Sequence, residues 1–413
     1  MKLAEQHVIK RNDPRFAAID AAAFKSKNLY NAALFEIRQS FIHEGKYLNY
    51  NEMDRRMQSH EAYKVLPAKV SQQVLKQLHE AWASYFEQCE AYRENPAKFL
   101  GHPKLPKYKH KTEGRNLLIY TIQTVSRGKH GLKRGIIKLS MLPIEVKTQQ
   151  DPKKIDQVRI VPRHSYYVVE VIYSKEPVQA PVDPAFCVGI DLGVTNLAAI
   201  ASNQEGFIPR LVNGRPIKAW NQWYNKRLKE LKRKLPKEDR ERVTKQMERI
   251  TNTRNRQINQ YLHTASKRIV DFLVKEGIGT VIIGKNIYWK QEVNNGRHNN
   301  QNFVSIPHAR FIEMIQYKAA LVGIQVEVTE ESYTSKASFV DLDPIPTYKP
   351  NDETVHVFSG KRIGKRNRLY RTKDGRKICA DMNGAYNILR KRRPDAFAKG
   401  IAAYVVQPAR LAV

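Results

Sequence analysis

The N-terminal third of the chain has the apolar spacing of α-helices. Apolar residues recur three and four positions apart over residues 17–45 and 68–93, the repeat that places them on one helical face. In the second stretch these residues are Val70, Val74, Leu78, Trp82, Tyr85 and Phe86. We therefore predict a strand over residues 1–10, followed by a helical lobe over residues 11–110.

Residues 115–175 change to the alternating pattern of β-strands. Apolar and polar residues alternate in four short segments, which turns containing Gly or Pro separate: NLLIYTIQTV, GIIKLS, QVRIVPR and SYYVVEVIYS. Residues 1–10 and 111–178 are therefore predicted to form a small β-barrel. The three prolines of residues 176–186 mark the clearest domain boundary in the chain.

The remaining residues, 179–413, alternate between strand and helix. Strand-like segments are FCVGI, NLAAIAS, TVIIG and QVEVTE, and helical spacing follows over residues 218–270, 307–322 and 381–391. Strands that alternate with helices favour a largely parallel sheet with helices on both faces. This part of the chain is predicted to be an α/β domain.

The charge of the chain narrows the class of partner. The 413 residues include 72 Lys and Arg against 40 Asp and Glu, and the formal net charge of +32 is far more than solubility requires. A polyanion is expected, and nucleic acid fits best. The chain has no apolar run of 18 residues, and its first residues lack the core of a signal peptide. We therefore expect a cytosolic protein without a membrane partner.

Two basic segments are candidate nucleic-acid contacts. In GHPKLPKYKHK, residues 101–111, two prolines forbid a helix and leave an extended segment. Its candidate contacts are Lys104, Lys107, Tyr108 and Lys109. Ammonium groups beside an aromatic ring suit a phosphate backbone and a stacked base, although an ordinary basic linker explains the segment equally well. Residues 218–257 hold fourteen Lys or Arg against five Asp or Glu, and a solvated charged face is the commoner explanation of such a run.

A carboxylate stands where the pattern predicts a buried strand residue. The segment GIDLGVTNLAAI places Asp191 at the end of an apolar strand, two residues before Gly193. Burying an unpaired carboxylate is costly, so Asp191 binds a metal, pairs with a cation or caps the turn. Gly193 permits a tight turn and leaves the carboxylate open to a phosphate.

A second aspartate begins the last predicted helix. In ADMNGAYNILRK, Asp381 precedes a packed helical face, and capping of that helix is its simplest role. Both aspartates lie in the α/β part of a very basic chain. Hydrolysis of phosphodiesters with two Mg2+ ions needs several carboxylates near one phosphate, so the pair favours a metal-dependent nuclease.

Four segments of the α/β part carry a family resemblance. DLGVTN, NNQNFVSIPHARFIEMIQYKAALVGI, ESYTSKAS and ADMNGAYNILRK resemble the RuvC-like nuclease domain of TnpB proteins, which are similar to type V CRISPR effectors and Fanzor nucleases. The resemblance is specific over residues 186–395. Residues 1–175 resemble the family in layout, with a helical recognition lobe and a β-barrel wedge domain. The resemblance implies a ribonuclease H-like fold in which Asp191 and Asp381 are catalytic metal ligands.

One position departs from that family pattern. Relatives commonly carry a Glu at the end of the strand that corresponds to TVIIGKN, where this chain has Gly284. One branch of the family carries a substitute Glu before the YTS element, and this sequence offers Glu330 and Glu331 there. By resemblance Glu331, three residues before Thr334, is the preferred third ligand. Strand alternation alone leaves both glutamates open.

A second departure concerns zinc. Relatives usually carry paired CxxC motifs between the YTS element and the last aspartate, but the insertion at residues 335–380 contains Cys379 alone. We therefore expect no structural zinc, and Mg2+ or Mn2+ is the expected cofactor. The insertion is basic over residues 361–377 and is expected to contact a DNA strand.

The resemblance also implies a function. It predicts a prokaryotic, cytoplasmic and nucleoid-associated RNA-guided DNA endonuclease. Such an enzyme takes a guide RNA from the transposon end and cleaves double-stranded target DNA beside a short flanking motif. Because Gly284 replaces a ligand, a nuclease-inactive, RNA-guided DNA-binding repressor is the main alternative. A transposase that cuts DNA without RNA is a third hypothesis, but the sequence shows no tyrosine-nucleophile pattern.

Overall fold

The computed structural model divides the chain into two compact units. The first unit is Met1–Lys175 and the second is Glu176–Val413. The boundary between them falls at the start of the proline-containing segment 176–186. The structure describes residues 1–126, 132–285, 306–348, 354–364, 368–398, 400 and 407–413.

Four helices build one part of the first unit. They are α1 (Phe16–His43), α2 (Tyr50–Met57), α3 (Glu61–Lys64) and α4 (Ala68–Glu94). Trp82 of α4 is fully buried and packs against the rings of Phe41 and Tyr47. The two long helices therefore lie where the apolar spacing predicts them, with their apolar faces in one core.

Two small sheets complete the first unit. β1 (Lys2–Lys10), β2 (Leu118–Thr121), β5 (Ile155–Pro162) and β6 (Tyr166–Ser174) form an antiparallel sheet in the order β1, β6, β5, β2. β3 (Ile136–Leu139) and β4 (Leu142–Lys147) form a hairpin, of which the sequence analysis missed β4. One bridge, from Val125 to Leu139, links the hairpin to the segment after β2. The predicted β-barrel remains a prediction.

A six-stranded sheet forms the centre of the second unit. Its strands are β7 (Asp183–Leu192), β8 (Asn196–Ser202), β9 (Arg210–Asn213), β10 (Ile278–Gly284), β11 (Gln325–Thr329) and β15 (Ala409–Leu411). They lie in the order β11, β10, β7, β8, β9, β15.

The sheet is mixed, with three parallel strand pairs, one of them β9 with β15, and two antiparallel pairs, so the prediction of a largely parallel sheet holds only in part. β7, β8 and β9 form an antiparallel meander because the turns that join them are too short for a crossover. β10 is parallel to both β7 and β11. The parallel pairs therefore begin only where helices supply the crossover connections.

Helices pack on both faces of this sheet. The described helices are α5 (Arg215–Arg233), α6 (Lys245–Lys275), α7 (His308–Ala320) and α8 (Ala380–Arg392). Val188 and Ile190 of β7 face α6 and α7, whereas Cys187 faces α8. None of the described helices combines the length and the apolarity that a membrane crossing requires.

The insertion before α8 contains a small antiparallel sheet. Its strands are β12 (Lys361–Ile363), β13 (Leu369–Arg371) and β14 (Lys377–Cys379). The fully buried Tyr370 donates a hydrogen bond to the carbonyl oxygen of Lys336 at 2.7 Å. Apolar packing of Tyr370, Ile378 and Ala380 therefore holds the described part of the insertion against α8.

The contact between β7 and α8 predicts the cost of one substitution. A Cβ at Gly189 would lie 2.1 Å from the carbonyl oxygen of Ala385, so Gly189→Ala forces the helix away from the strand. We expect the free energy of unfolding to fall by about 1–3 kcal/mol. Urea denaturation, monitored by circular dichroism, measures this free energy. Gly101→Ala is the control, since a Cβ there meets no atom within 4 Å, and equal midpoints for both variants would contradict the prediction.

Candidate metal centre

Asp191 lies at the end of β7, on the face of the sheet that carries α8. Val188, Ile190 and Leu192 point to the opposite, apolar face, because successive side chains of a strand alternate. A Cβ built on Gly384 of α8 would lie 2.8 Å from Oδ2 of Asp191. The carboxylate therefore reaches the helix backbone at a residue that has no side chain.

Asp381 lies in the first turn of α8 and is buried. Its carboxylate accepts a hydrogen bond from Nδ2 of Asn196 at 2.6 Å and one from the guanidinium of Arg368 at 2.8 Å. The guanidinium of Arg362 lies 3.8 Å away. Asp381 is thus held by side chains from β8 and from the insertion.

The two candidate glutamates have different surroundings. Glu330 forms an ion pair with Lys391, whose side chain is 9% exposed, and its carboxylate also accepts from the amide of Ser332. Glu331 points instead to the end of β10, where its Oε2 would lie 2.5 Å from a Cβ built on Gly284. The structure therefore brings Glu331, rather than Glu330, towards Asp191.

Gly284 provides the space into which Glu331 points. It ends β10 and pairs in register with Thr329 of β11, two residues before Glu331. A side chain at position 284 would meet both the Glu331 carboxylate and Ile388 of α8. The family pattern places a carboxylate at the end of β10, where this chain has Gly284. The carboxylate of Glu331 occupies the space beside Gly284 instead.

Burial and neighbouring charge raise the pKa values of two of these carboxyl groups. Burial, followed by the negative charge of Asp381, raises the pKa of Asp191 to about 7. Burial, followed by the charges of Asp191 and Glu330, raises the pKa of Glu331 to about 8. Ionising both groups at neutral pH therefore requires a compensating positive charge.

These groups suit a hard divalent cation. Asp191, Glu331 and Asp381 offer only carboxylate oxygens, the ligands that Mg2+ and Mn2+ prefer. A cation beside Asp191 and Glu331 would offset the burial and the repulsion that raise their pKa values. Within the described residues, no three His, Cys, Asp or Glu side chains are gathered closely enough to hold one ion. Asp381 in particular is turned to Arg368 and Asn196.

Two asparagines, which the sequence analysis did not single out, fix the loop that follows Glu331. Asn383 and Asn387 are one helical turn apart on α8, and both are fully buried. Nδ2 of Asn387 donates to the carbonyl oxygens of Thr334, at 3.0 Å, and Ala337, at 2.7 Å. Nδ2 of Asn383 also donates to Ala337, and its Oδ1 accepts from the amide of Phe339. Their spacing of four residues in ADMNGAYNILRK is the signal in the sequence that could have placed both asparagines on one face of the helix.

The predicted nucleic-acid contacts of residues 101–111 divide into two groups. Lys104, Lys107 and Tyr108 are exposed. The side chain of Lys109 instead lies over the ring of Tyr30 at 4.8 Å, and burial lowers its pKa. Asn31 holds the Lys109 backbone through both its amide and its carbonyl group. Lys109 therefore anchors the segment to α1, and the other three face solvent.

The raised pKa values predict how pH changes the stability of the metal-free protein. Unfolded carboxyl groups ionise near pH 4, so between pH 4 and about 8 the folded chain holds extra protons at Asp191 and Glu331. The free energy of unfolding therefore falls as pH rises through this window. Asp191→Asn removes one contribution, so its Tm in EDTA should exceed that of wild type at about pH 8.5 and approach it near pH 4.

Asp20→Asn is the matched control for that measurement. The guanidinium of Arg115 lowers the pKa of Asp20, so this variant should be less stable than wild type at about pH 8.5. A lower Tm for Asp191→Asn than for wild type at that pH would contradict the inference that burial and nearby negative charge destabilise the ionised carboxylate of Asp191.

Loss of Asn387 is expected to loosen the loop that carries Glu331. Asn387→Ala leaves the buried carbonyl oxygen of Thr334 without this donor, which costs about 1–3 kcal/mol. The urea midpoint should fall, and Mn2+, measured by titration calorimetry, should bind more weakly. Asn12→Ala, at an exposed turn, is the control. Unchanged stability and Mn2+ affinity would show that the loop is held by other contacts.

Two parts of the chain match known family models, and most of the chain has a curated relative. Residues 167–290 match the family model OrfB_IS605, described as a probable transposase, and residues 308–388 match that of the Cas12f1-like TNB domain. The TnpB-like protein ORF457 of Acidianus two-tailed virus is 23% identical over 425 aligned positions, which cover 89% of this chain and 81% of the viral protein.

The fold is also similar to that of a solved protein. A chain in the cryo-EM structure of the Cas12f1-sgRNA-target DNA complex aligns with a TM-score of 0.50 at 14% identity, over 90% of this chain and 81% of that one. The likeness shows a fold of the RuvC-containing TnpB and Cas12 type, with mixed α/β content. The two family models and the viral relative support a TnpB-family protein.

Proposed function

We propose that the protein is an RNA-guided DNA endonuclease of the prokaryotic cytoplasm. A guide RNA from the transposon end selects double-stranded target DNA beside a short flanking motif, and the second unit hydrolyses the DNA with Mg2+. The observation that carries the proposal is the placement of Glu331 beside Asp191, in the space that Gly284 leaves. The similar Cas12f1 chain was solved with a single guide RNA and target DNA, which supports the same classes of partner here.

The side chains of the centre have separable roles in this proposal. Asp191, Glu331 and Asp381 would hold two Mg2+ ions, which supply the Lewis acidity for phosphodiester hydrolysis. Asn196 orients Asp381 through its 2.6 Å hydrogen bond. Arg368 pairs with Asp381 and is partly exposed, so its guanidinium would also be able to bind a phosphate of the DNA.

Other residues would hold the nucleic acid away from the reacting bond. Lys104, Lys107 and Tyr108 are exposed on an extended segment and suit a backbone and a stacked base. The anchoring of Lys109 to Tyr30 and Asn31 fixes the position of that segment.

The main alternative is an RNA-guided DNA-binding repressor without nuclease activity. It is motivated by Gly284, which cannot bind a metal. The position of Glu331 disfavours it, because a carboxylate fills the space that the missing side chain would take. A carboxyl group whose pKa is raised by burial and by a neighbouring carboxylate is typical of a functional site, which favours the nuclease over the repressor.

Cleavage by single variants tests the ligand assignment. Protein purified with its copurifying RNA is incubated with Mg2+ and a double-stranded target, and product is followed on a denaturing gel. We expect Asp191→Asn and Glu331→Gln each to lower the rate at least about 100-fold, since each removes a metal ligand. Glu330→Gln, which breaks the ion pair with the largely buried Lys391 but removes no proposed metal ligand, is the matched control and should retain most activity. Cleavage by Glu331→Gln at the wild-type rate would overturn the assignment.

Exchange of the two positions gives a sharper test. Gly284→Glu alone should clash with Glu331 and lower cleavage. Combining it with Glu331→Gly and Ile388→Ala, which also relieves the contact with Ile388, returns the carboxylate to the end of β10, and cleavage should recover relative to Glu331→Gly, Ile388→Ala. If wild type binds RNA and its matching DNA but never cuts with Mg2+ or Mn2+, the repressor proposal replaces the nuclease proposal.

A further inference from the structure

We propose that Lys391 is a positioning residue for Glu331. Its ammonium group fixes the residues on both sides of Glu331 and so keeps the Glu331 carboxylate in the space beside Gly284. The proposal rests on the proposed function in taking Glu331 as a metal ligand. Lys391 lies in the last turn of α8, and its side chain is 9% exposed.

The ammonium group of Lys391 contacts both neighbours of Glu331. Its Nζ donates to a carboxylate oxygen of Glu330, and it lies 3.0 Å from the carbonyl oxygen and 3.3 Å from the hydroxyl oxygen of Ser332. A fourth oxygen, the carbonyl of Pro346, lies 3.0 Å away. Since an ammonium group has three N–H donors, these oxygens use its whole hydrogen-bonding capacity. One side chain therefore holds the residues before and after Glu331.

The two consecutive glutamates reach different partners. The Glu330 carboxylate accepts from Lys391 and from the amide of Ser332, so its side chain is turned to the end of α8. Oε2 of Glu331 lies where it would be 2.5 Å from a Cβ built on Gly284. Lys391 therefore binds Glu330 and leaves the space beside Gly284 to Glu331.

The charge of Lys391 is what distinguishes it from its neighbours on the helix. Asn383, Asn387 and Lys391 follow one another at intervals of four residues and form one row along α8. The two asparagines hold residues 334–339 with neutral amide groups. The cation is the member of the row beside the glutamates, and its charge opposes the burial and the repulsion that raise the pKa of Glu331. A link between helix and loop needs no charge, so the charge points to the carboxylates.

The affinity of the full chain for Mn2+ tests the proposal, by titration calorimetry without RNA or DNA. Lys391→Met keeps an unbranched side chain but removes the ammonium group. It should weaken Mn2+ binding about tenfold or more, as the loss of a group that orients a metal ligand does. Lys391→Arg, which keeps the charge, should bind Mn2+ more tightly than Lys391→Met. Equal affinity in wild type and Lys391→Met would overturn the proposal.

Two control variants separate this role from the loss of any ion pair in the region. Arg392→Met breaks the ion pair of the next residue of α8 with Glu327 of β11. Glu330→Gln removes the charge partner of Lys391 but keeps an oxygen that accepts from its ammonium group. Both controls should bind Mn2+ nearly as tightly as wild type. A loss in either control equal to that in Lys391→Met would also overturn the proposal.

A double-mutant cycle at Gly284 tests the position of Glu331 without metal. Gly284→Ala places a Cβ against the Glu331 carboxylate and should lower the urea midpoint. The decrease should be smaller in the Lys391→Met background, because Glu331 can then move away from the added methyl group. The contact of the same Cβ with Ile388 is common to all backgrounds and cancels. In Arg392→Met the decrease should equal that in wild type, and equal decreases in all three backgrounds would refute the positioning role.

The outcomes distinguish this proposal from the proposed function. If Asp191→Asn and Glu331→Gln leave Mn2+ affinity unchanged, the metal centre fails, whereas the cycle at Gly284 still decides whether Lys391 positions Glu331. If those two variants lose Mn2+ affinity but Lys391→Met does not, the metal centre stands and the positioning role fails.

Discussion

The close contact between β7 and α8 is the constraint on which the candidate centre depends. Gly189 lets the helix backbone approach the strand, and Asp191 follows on the same face of β7. Asp381 is in the first turn of that helix. Both aspartates therefore belong to elements that are packed against each other over several buried residues, and their separation is set by core packing rather than by flexible loops.

The third carboxylate is positioned in a different way. Glu331 lies after the end of β11, in a turn where Thr334 donates to its carbonyl oxygen at 2.8 Å. Asn383 and Asn387 tie this loop to α8 through buried hydrogen bonds. Positions 284 and 331 are far apart in the sequence but adjacent in space, so a carboxylate at either position would occupy nearly the same place.

Much of this arrangement is visible in the sequence, because periodic patterns and motifs report local structure. The long helices, most strands and the two aspartates were predicted, and the family resemblance is confirmed by the family models and the viral relative. Strand alternation could not distinguish Glu330 from Glu331, because β11 ends at Thr329 and neither glutamate lies in the strand. Asp381 contacts Asn196 and Arg368, which lie in other segments of the chain. Such contacts leave no periodic pattern in the sequence, so they could not be predicted from it.

The tethered loop changes how the centre responds to random mutation. A ligand at the end of a buried strand is oriented by the sheet itself, whereas Glu331 depends on Gly284 for space and on two asparagines for its loop. More single codons can therefore abolish the centre than in a relative whose glutamate lies on the strand. Under the proposed function, lineages with this arrangement should lose catalysis by genetic drift more readily, often while all three carboxylates are still encoded.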